Sequence, residues 1–226
     1  MPRSSVIRVA SLRDVFNSDR CRLLDARVAQ LCVLYEDLRI EVSALLEKSM
    51  PRLDVLEPAG EHACDPARTG TYRKTYFLRR STLTLCEFAE GLRLLDDCRD
   101  FAVIKSEFDV KTSADWKLAI EFFRENEPLI KNVRNDIGGH FGFKAATWAV
   151  CNLGANSVGG IEVILNGSRE PTTPHLNFAG EIAAAALGRH LNTLEEFLSE
   201  CVVKGYFHAM SCVEMLVVQH LWPRFS

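Results

Sequence analysis

Seven positions, Leu24, Val28, Leu31, Tyr35, Leu38, Val42 and Leu45, step by four and three along the early chain. That spacing returns to one face of a helix at every turn, so Asp19 to Lys48 is expected to be a long helix with a single apolar seam. A second seam, Leu78, Ser81, Leu85, Phe88, Leu92 and Leu95, predicts another helix from about Tyr72 to Asp97. Two such stripes bury each other when they lie side by side, and antiparallel packing is expected. Pro51 ends the first helix, and Pro58, Gly60, Pro66 and Gly70 read as the loop between them. From about Phe178 a third seam runs through Ala184, Leu187, Leu191, Leu194, Leu198 and Cys201, and Tyr206, Met210, Val213 and Val217 continue it after Gly205. The fold class is therefore all-α: an antiparallel long-helix bundle forming a single helical domain over 1–226. Its expected core includes Leu31, Leu38, Leu85, Leu92, Val133, Ile137, Leu191 and Leu198.

Other segments interrupt this pattern. Residues 1–18 read as an N-terminal arm, and Phe101 to Val110 as a short link. Thr112 or Ser113 suits the cap of a helix carrying Trp116, Ile120 and Phe123, and Ala145 to Cys151 suits a short helix. Ile161 to Leu165 is β-like and Asn166-Gly167 is a hairpin turn signal. One small β-hairpin is expected within 161–175, its second arm shortened by Pro171 and Pro174.

The chemistry concentrates in Glu125 to Phe143, ENEPLIKNVRNDIGGHFGF. Leu129, Val133, Ile137 and Phe141 recur every fourth residue with Ile130 beside them, so this too reads as a helix, continuous with the preceding one or separated from it at Asn126 to Pro128. At about 100° per residue, Arg134 and His140 flank that stripe about 120° apart. Gly138 and Gly139 also suit a helix C-terminus, which would leave His140 just beyond the last turn.

Arg134, Asn135 and His140 together resemble the short motif of the HEPN families, all-helical proteins in which an arginine, usually followed by a polar residue, precedes a histidine by several positions. The resemblance extends from the first long helix through His140, with Gly138 and Gly139 standing where alanine-like residues are usual. It implies, in the active members, a metal-independent endoribonuclease whose arginines and histidines converge from two subunits or two domains. Such an enzyme would be a toxin or defence effector, with a protein antitoxin as a partner. The alternative is a non-catalytic helical interaction module carrying the same motif.

The residue types fit that chemistry. An imidazole, with an ordinary pKa near 6.5, takes or supplies a proton near neutral pH. A guanidinium stays charged and grips two phosphate oxygens at once. One histidine cannot conveniently serve both sides of a phosphorus, and a two-fold pair of chains would supply the second, so a homodimer is expected. Asn135 points away from the stripe on ideal helix geometry. Arg73, Lys74, Arg79 and Arg80, which open the second helix, are either a solvated face or a phosphate-binding edge; Lys131 adds a cation beside Arg134.

Other chemistries fare worse. With 27 Lys and Arg against 30 Asp and Glu, no global positive field exists, and RNA contact must be local. Glu61, His62, Cys64 and Asp65 lack a spaced second pair of soft ligands, so neither metal nor cofactor is expected. In GANSVGG, Gly160 occupies the position that a Walker motif gives to lysine. The eight cysteines show no CxxC spacing and read as reduced, in a cytoplasmic protein. No uninterrupted apolar run of bilayer-spanning length is seen, and no membrane association is expected. Arg3, Arg8 and Arg13 among serines faintly resemble a transit peptide, against which Asp14 argues. The histidines at 62, 175, 190, 208 and 220 have no partners that sequence can place; His190, on the last long helix, is the first to inspect in a structure.

Overall fold

The computed structural model describes residues 10–16, 22–46, 66–138, 141–154, 161–165, 171–176, 179–191 and 194–225. They are mostly helical. In chain order come α1 (Leu12–Val15), α2 (Arg22–Leu46), α3 (Pro66–Asp96), α4 (Arg99–Ser106) and α5 (Val110–Val133), which continues as a π-helical turn, Arg134–Gly138. Next are α6 (Phe143–Cys151), β1 (Ile161–Leu165), β2 (Pro171–Leu176), α7 (Ala179–Leu187) and α8 (Leu194–Glu196). After α8, the π-helical stretch Phe197–Val203 leads into α9 (Lys204–Leu216), and the chain ends in Val217–Leu221 (π) and Trp222–Arg224 (3₁₀).

Several boundaries differ from those expected. α3 starts at Pro66, inside the expected loop, because proline suits a first helical turn whose N–H groups have no partner. Arg99–Ser106 is helical, where a link was expected, and it buries Phe101. The cap of α5 is Asp109, not Thr112 or Ser113: its Oδ1 accepts the Thr112 backbone N–H at 2.7 Å. That hydrogen bond holds the Asp109 carboxyl below the usual range. Pro128 lies inside α5, so one helix continues through Asn126 to Pro128.

The chain's contacts divide it into two compact units, Met1–Leu38, Thr84–Glu127 and Lys204–Ser226 forming one, Arg39–Leu83 and Pro128–Val203 the other. In the first, the seam residues Leu24, Val28, Leu31 and Leu38 are buried, as are Leu85, Phe88, Leu92 and Leu95. Phe88 lies 5.6 Å from Phe123, centroid to centroid, and Phe101 lies 4.9 Å from Trp116. Gly91 admits Leu31: a Cβ there would lie 3.1 Å from Leu31 Cδ2. Buried Asp25 accepts from Arg224 Nη1 at 2.7 Å and from His220 Nε2 at 3.1 Å, and Arg224 also donates to the Val15 carbonyl at 3.0 Å. These bonds tie the C-terminal turn to α1 and α2.

Two histidines give this unit a pH dependence. Burial lowers the pKa of His220, with Arg224 adding to the effect and the Asp25 hydrogen bond opposing it. Burial, helped by Lys204, also lowers that of His208. Between the lowered folded values and the unfolded value near 6.5, the unfolded chain binds more protons, so stability from these groups is present above about pH 6.5 and lost as pH falls. Thermal melts at pH 7.5 and 5.5 should show a lower midpoint in acid, with a smaller drop for His220→Gln. A higher midpoint in acid would contradict this.

In the second unit, Val42, Leu45, Leu78, Ile130 and Val133 are buried, and Ala145 and Ala149 of α6 are buried along with Ala183, Ala186 and Leu187 of α7. α6 packs on α7, and both meet the π-helical turn. Small alanines on both helices allow this close approach. The expected unbroken helix from Phe178 through Cys201 is instead split: α7 closes through Arg189 N–H to Ala186 O and His190 N–H to Leu187 O, and Gly188 begins a turn. Leu191 and Leu198 are half-buried, and the Ile137 side chain lies outside the described residues. β1 and β2 pair antiparallel from Ile161↔Leu176 to Leu165↔Pro171, with a bulge between Ile164 and Leu165. Both strands are edges, where proline's missing N–H is tolerated. The Asn166-Gly167 turn lies outside the described residues.

Phe197–Arg224 is long and apolar enough to cross a membrane by length and composition alone. Its residues Phe197, Cys201 and Val202 are buried in the second unit, and Ala209, Cys212, Val213 and Leu216 in the first. A core helix of a soluble protein has the same composition. Burial pushes the pKa of the Cys201 thiol up to about 12 and raises that of Cys212 as well, which keeps both as unreactive thiols.

Candidate functional site

The motif sits where α5 changes its winding. In the π-helical turn Arg134–Gly138 the backbone bonds reach one residue further than in an α-helix, so positions after Val133 leave the stripe drawn at 100° per residue. Ile130 and Val133 are buried before the change, and Phe141 is half-buried after it. His140, Glu61, His62, Cys64, Asp65 and Gly160 lie outside the described residues.

Arg134 and Asn135 are exposed, and Arg134 Nη1 donates to Asn135 Oδ1 at 3.2 Å. Among the described residues no carboxylate pairs with Arg134. The neighbour amide instead accepts from one guanidinium nitrogen.

Asp136 has a different environment. Its Oδ2 accepts from Arg189 Nη1 at 2.7 Å and contacts His190 Nε2 at 2.5 Å. Its backbone carbonyl receives a long hydrogen bond, 3.5 Å, from Gly142 N–H, where the chain re-enters before α6. The Arg189 guanidinium also lies 6.0 Å from the centre of the Trp148 ring on α6. One carboxylate thus gathers a guanidinium and an imidazole from the turn after α7, with an indole beside them. Helical periodicity puts His190 inside a helix, and nothing in the sequence pattern singles out Asp136, Arg189 or Trp148. Gly188, after an alanine run and before Arg189-His190, was the available signal that the helix ends there.

The basic residues opening α3 do not act as a set. Arg79 lies 5.7 Å from the centre of the Phe141 ring, next to the motif, whereas Arg80 Nε is 3.4 Å from buried Glu41. Lys74 and Lys131 are exposed; Arg73 lies within α3, its side chain outside the described residues. In the other unit, a hollow of about 250 Å³ is lined by Asp96, Lys105, Phe108 and Trp116. Asp96 Oδ1 is already engaged there by Lys105 at 2.6 Å and Trp116 at 2.8 Å. No group of three or more metal-ligating side chains occurs among the described residues. No family model, curated protein or solved structure matches this chain.

Proposed function

We propose that this chain is a metal-independent endoribonuclease of HEPN-like type that cleaves single-stranded RNA, with Arg134 and His140 at its centre. The observation that carries this reading is the exposed guanidinium of Arg134, held by Asn135 Oδ1 on a π-helical turn and paired with no carboxylate among the described residues. Arginine used only for structure usually pairs with an acid or covers apolar surface. In the reaction the ribose 2′-oxygen attacks the adjacent phosphorus, the bond to the 5′-oxygen breaks, and a cyclic phosphate and a 5′-hydroxyl result. Arg134 stabilises the charge building on the non-bridging oxygens, and His140 transfers a proton. Arg79, beside Phe141, supports the phosphate backbone.

Single-stranded RNA is the substrate because the 2′-oxygen must rotate into line with the leaving oxygen, which a regular A-form duplex prevents. Labelled single-stranded RNA should be cut while the same sequence in a perfect duplex is spared. Equal cutting of both, or of neither, would contradict the proposal. The protein acts as a homodimer through the C-terminal end of α5 in the cytoplasm, as a toxin or defence effector held by a protein antitoxin. Sedimentation at micromolar concentration should give twice the mass of one chain, and a monomer would count against this assembly.

A second reading is a non-catalytic interaction module. It is favoured by the exposed apolar residues Phe143 and Val150 on α6, next to the motif. Binding of a protein partner without any RNA cleavage would select it.

A further inference from the structure

The ribonuclease reading needs two proton transfers, one from the attacking 2′-hydroxyl and one to the departing 5′-oxygen. His140 can serve only one of them conveniently. The second unit contains another imidazole, bonded to the motif itself: His190 Nε2 is 2.5 Å from Oδ2 of Asp136, two residues beyond Arg134. The side chains of His190 and Asp136 are 18% and 21% exposed, so the pair is neither sealed in a core nor loose in solvent.

The geometry points to His190 as the general base of the proposed reaction, with Asp136 as its positioning residue. An ionised carboxylate only accepts hydrogen bonds, so the nitrogen facing Asp136 carries the proton. Nδ1 of neutral His190 is therefore the unprotonated nitrogen, with a lone pair available for the 2′-hydroxyl proton. As that proton arrives, the O2′–P bond forms and the P–O5′ bond breaks. The departing 5′-oxygen takes a proton from protonated His140, and no oxidant or metal enters the balance. Asp136 stabilises the imidazolium that forms on His190. The charged groups bonded in this cluster are Asp136 and Arg189; Arg189 binds the same Asp136 oxygen and keeps further N–H donors for a phosphate oxygen. Trp148, 39% exposed and near Arg189, offers a ring on which a base can stack.

This inference rests on the ribonuclease reading, and its test separates the two. Steady-state cleavage of a single-stranded oligoribonucleotide is measured for the full chain and for His190→Ala, Asp136→Asn and Arg134→Ala, with melting curves for each. His190→Ala should lose about 100-fold or more in kcat, and added imidazole should restore a substantial part. Asp136→Asn should lose about tenfold or more in kcat with KM nearly unchanged. A purely structural clasp would not respond to free imidazole. If Arg134→Ala is inactive while His190→Ala stays within about threefold of the parent, His190 is not the base and the ribonuclease reading stands. If His190→Ala is inactive, imidazole restores nothing and Asp136→Asn keeps full kcat, the inference is likewise overturned. If the unaltered chain cleaves nothing, both fall.

Discussion

Arg134→Ala is expected to slow cleavage of single-stranded RNA by about 100- to 1,000-fold, the usual loss when one preorganised donor to a developing oxyanion is removed. Its melting temperature should hardly change, because Arg134 is exposed and its guanidinium donates to the side chain of its own neighbour, Asn135. Surface changes of this kind stay within about 0.5 kcal/mol. Arg134→Lys should fail nearly as badly, since an ammonium keeps the charge and loses the planar fork. His140→Ala should be similarly inactive. The check is initial rates beside thermal melts: an Arg134→Ala protein that keeps full activity, or loses activity only by unfolding, contradicts the assignment.

Phe88→Ala should destabilise the first unit by about 3–5 kcal/mol, the range for emptying a fully buried aromatic site. Phe88 is wholly buried on the α3 seam, between Leu85 and Leu92 in sequence, with its ring against Phe123. Natural domains are stable by only about 5–15 kcal/mol, so much of the reserve would go. Val33→Ala is the matched control, since Val33 is 62% exposed on α2 and should change stability by less than about 0.5 kcal/mol. Urea unfolding midpoints of the two variants measure the difference. A Phe88→Ala cost below about 1 kcal/mol would mean that the α3 seam does not face the core.

Those two residues also show what sequence could and could not reveal. Leu24, Leu31, Leu85, Phe88 and Leu92 are buried because a 3.6-residue period puts them on one face, and that period is visible in the chain alone. Caps and short helices were less legible. Asp109 precedes the residues expected to cap α5, and α4 has too few turns to show a period. The π-helical turn escaped because the motif was drawn on an α-helix, whose constant angle is the assumption that fails at Arg134. The cluster at Asp136 escaped for another reason. Arg189 and His190 lie 53 and 54 residues from it, and a carboxylate meeting a guanidinium and an imidazole across that separation leaves no periodic trace. Arg134 and Asn135 were legible as a motif from residue type and spacing, but not the fact that the second bonds the first.

The most direct test of the ribonuclease assignment is the chemistry of the product ends. The purified chain is incubated with labelled single-stranded RNA in excess chelator, and both termini at each cut are identified. Undiminished cleavage is expected, leaving a 2′,3′-cyclic phosphate on one fragment and a 5′-hydroxyl on the other. Cleavage that disappears with chelator, or leaves 5′-phosphate ends, would contradict it.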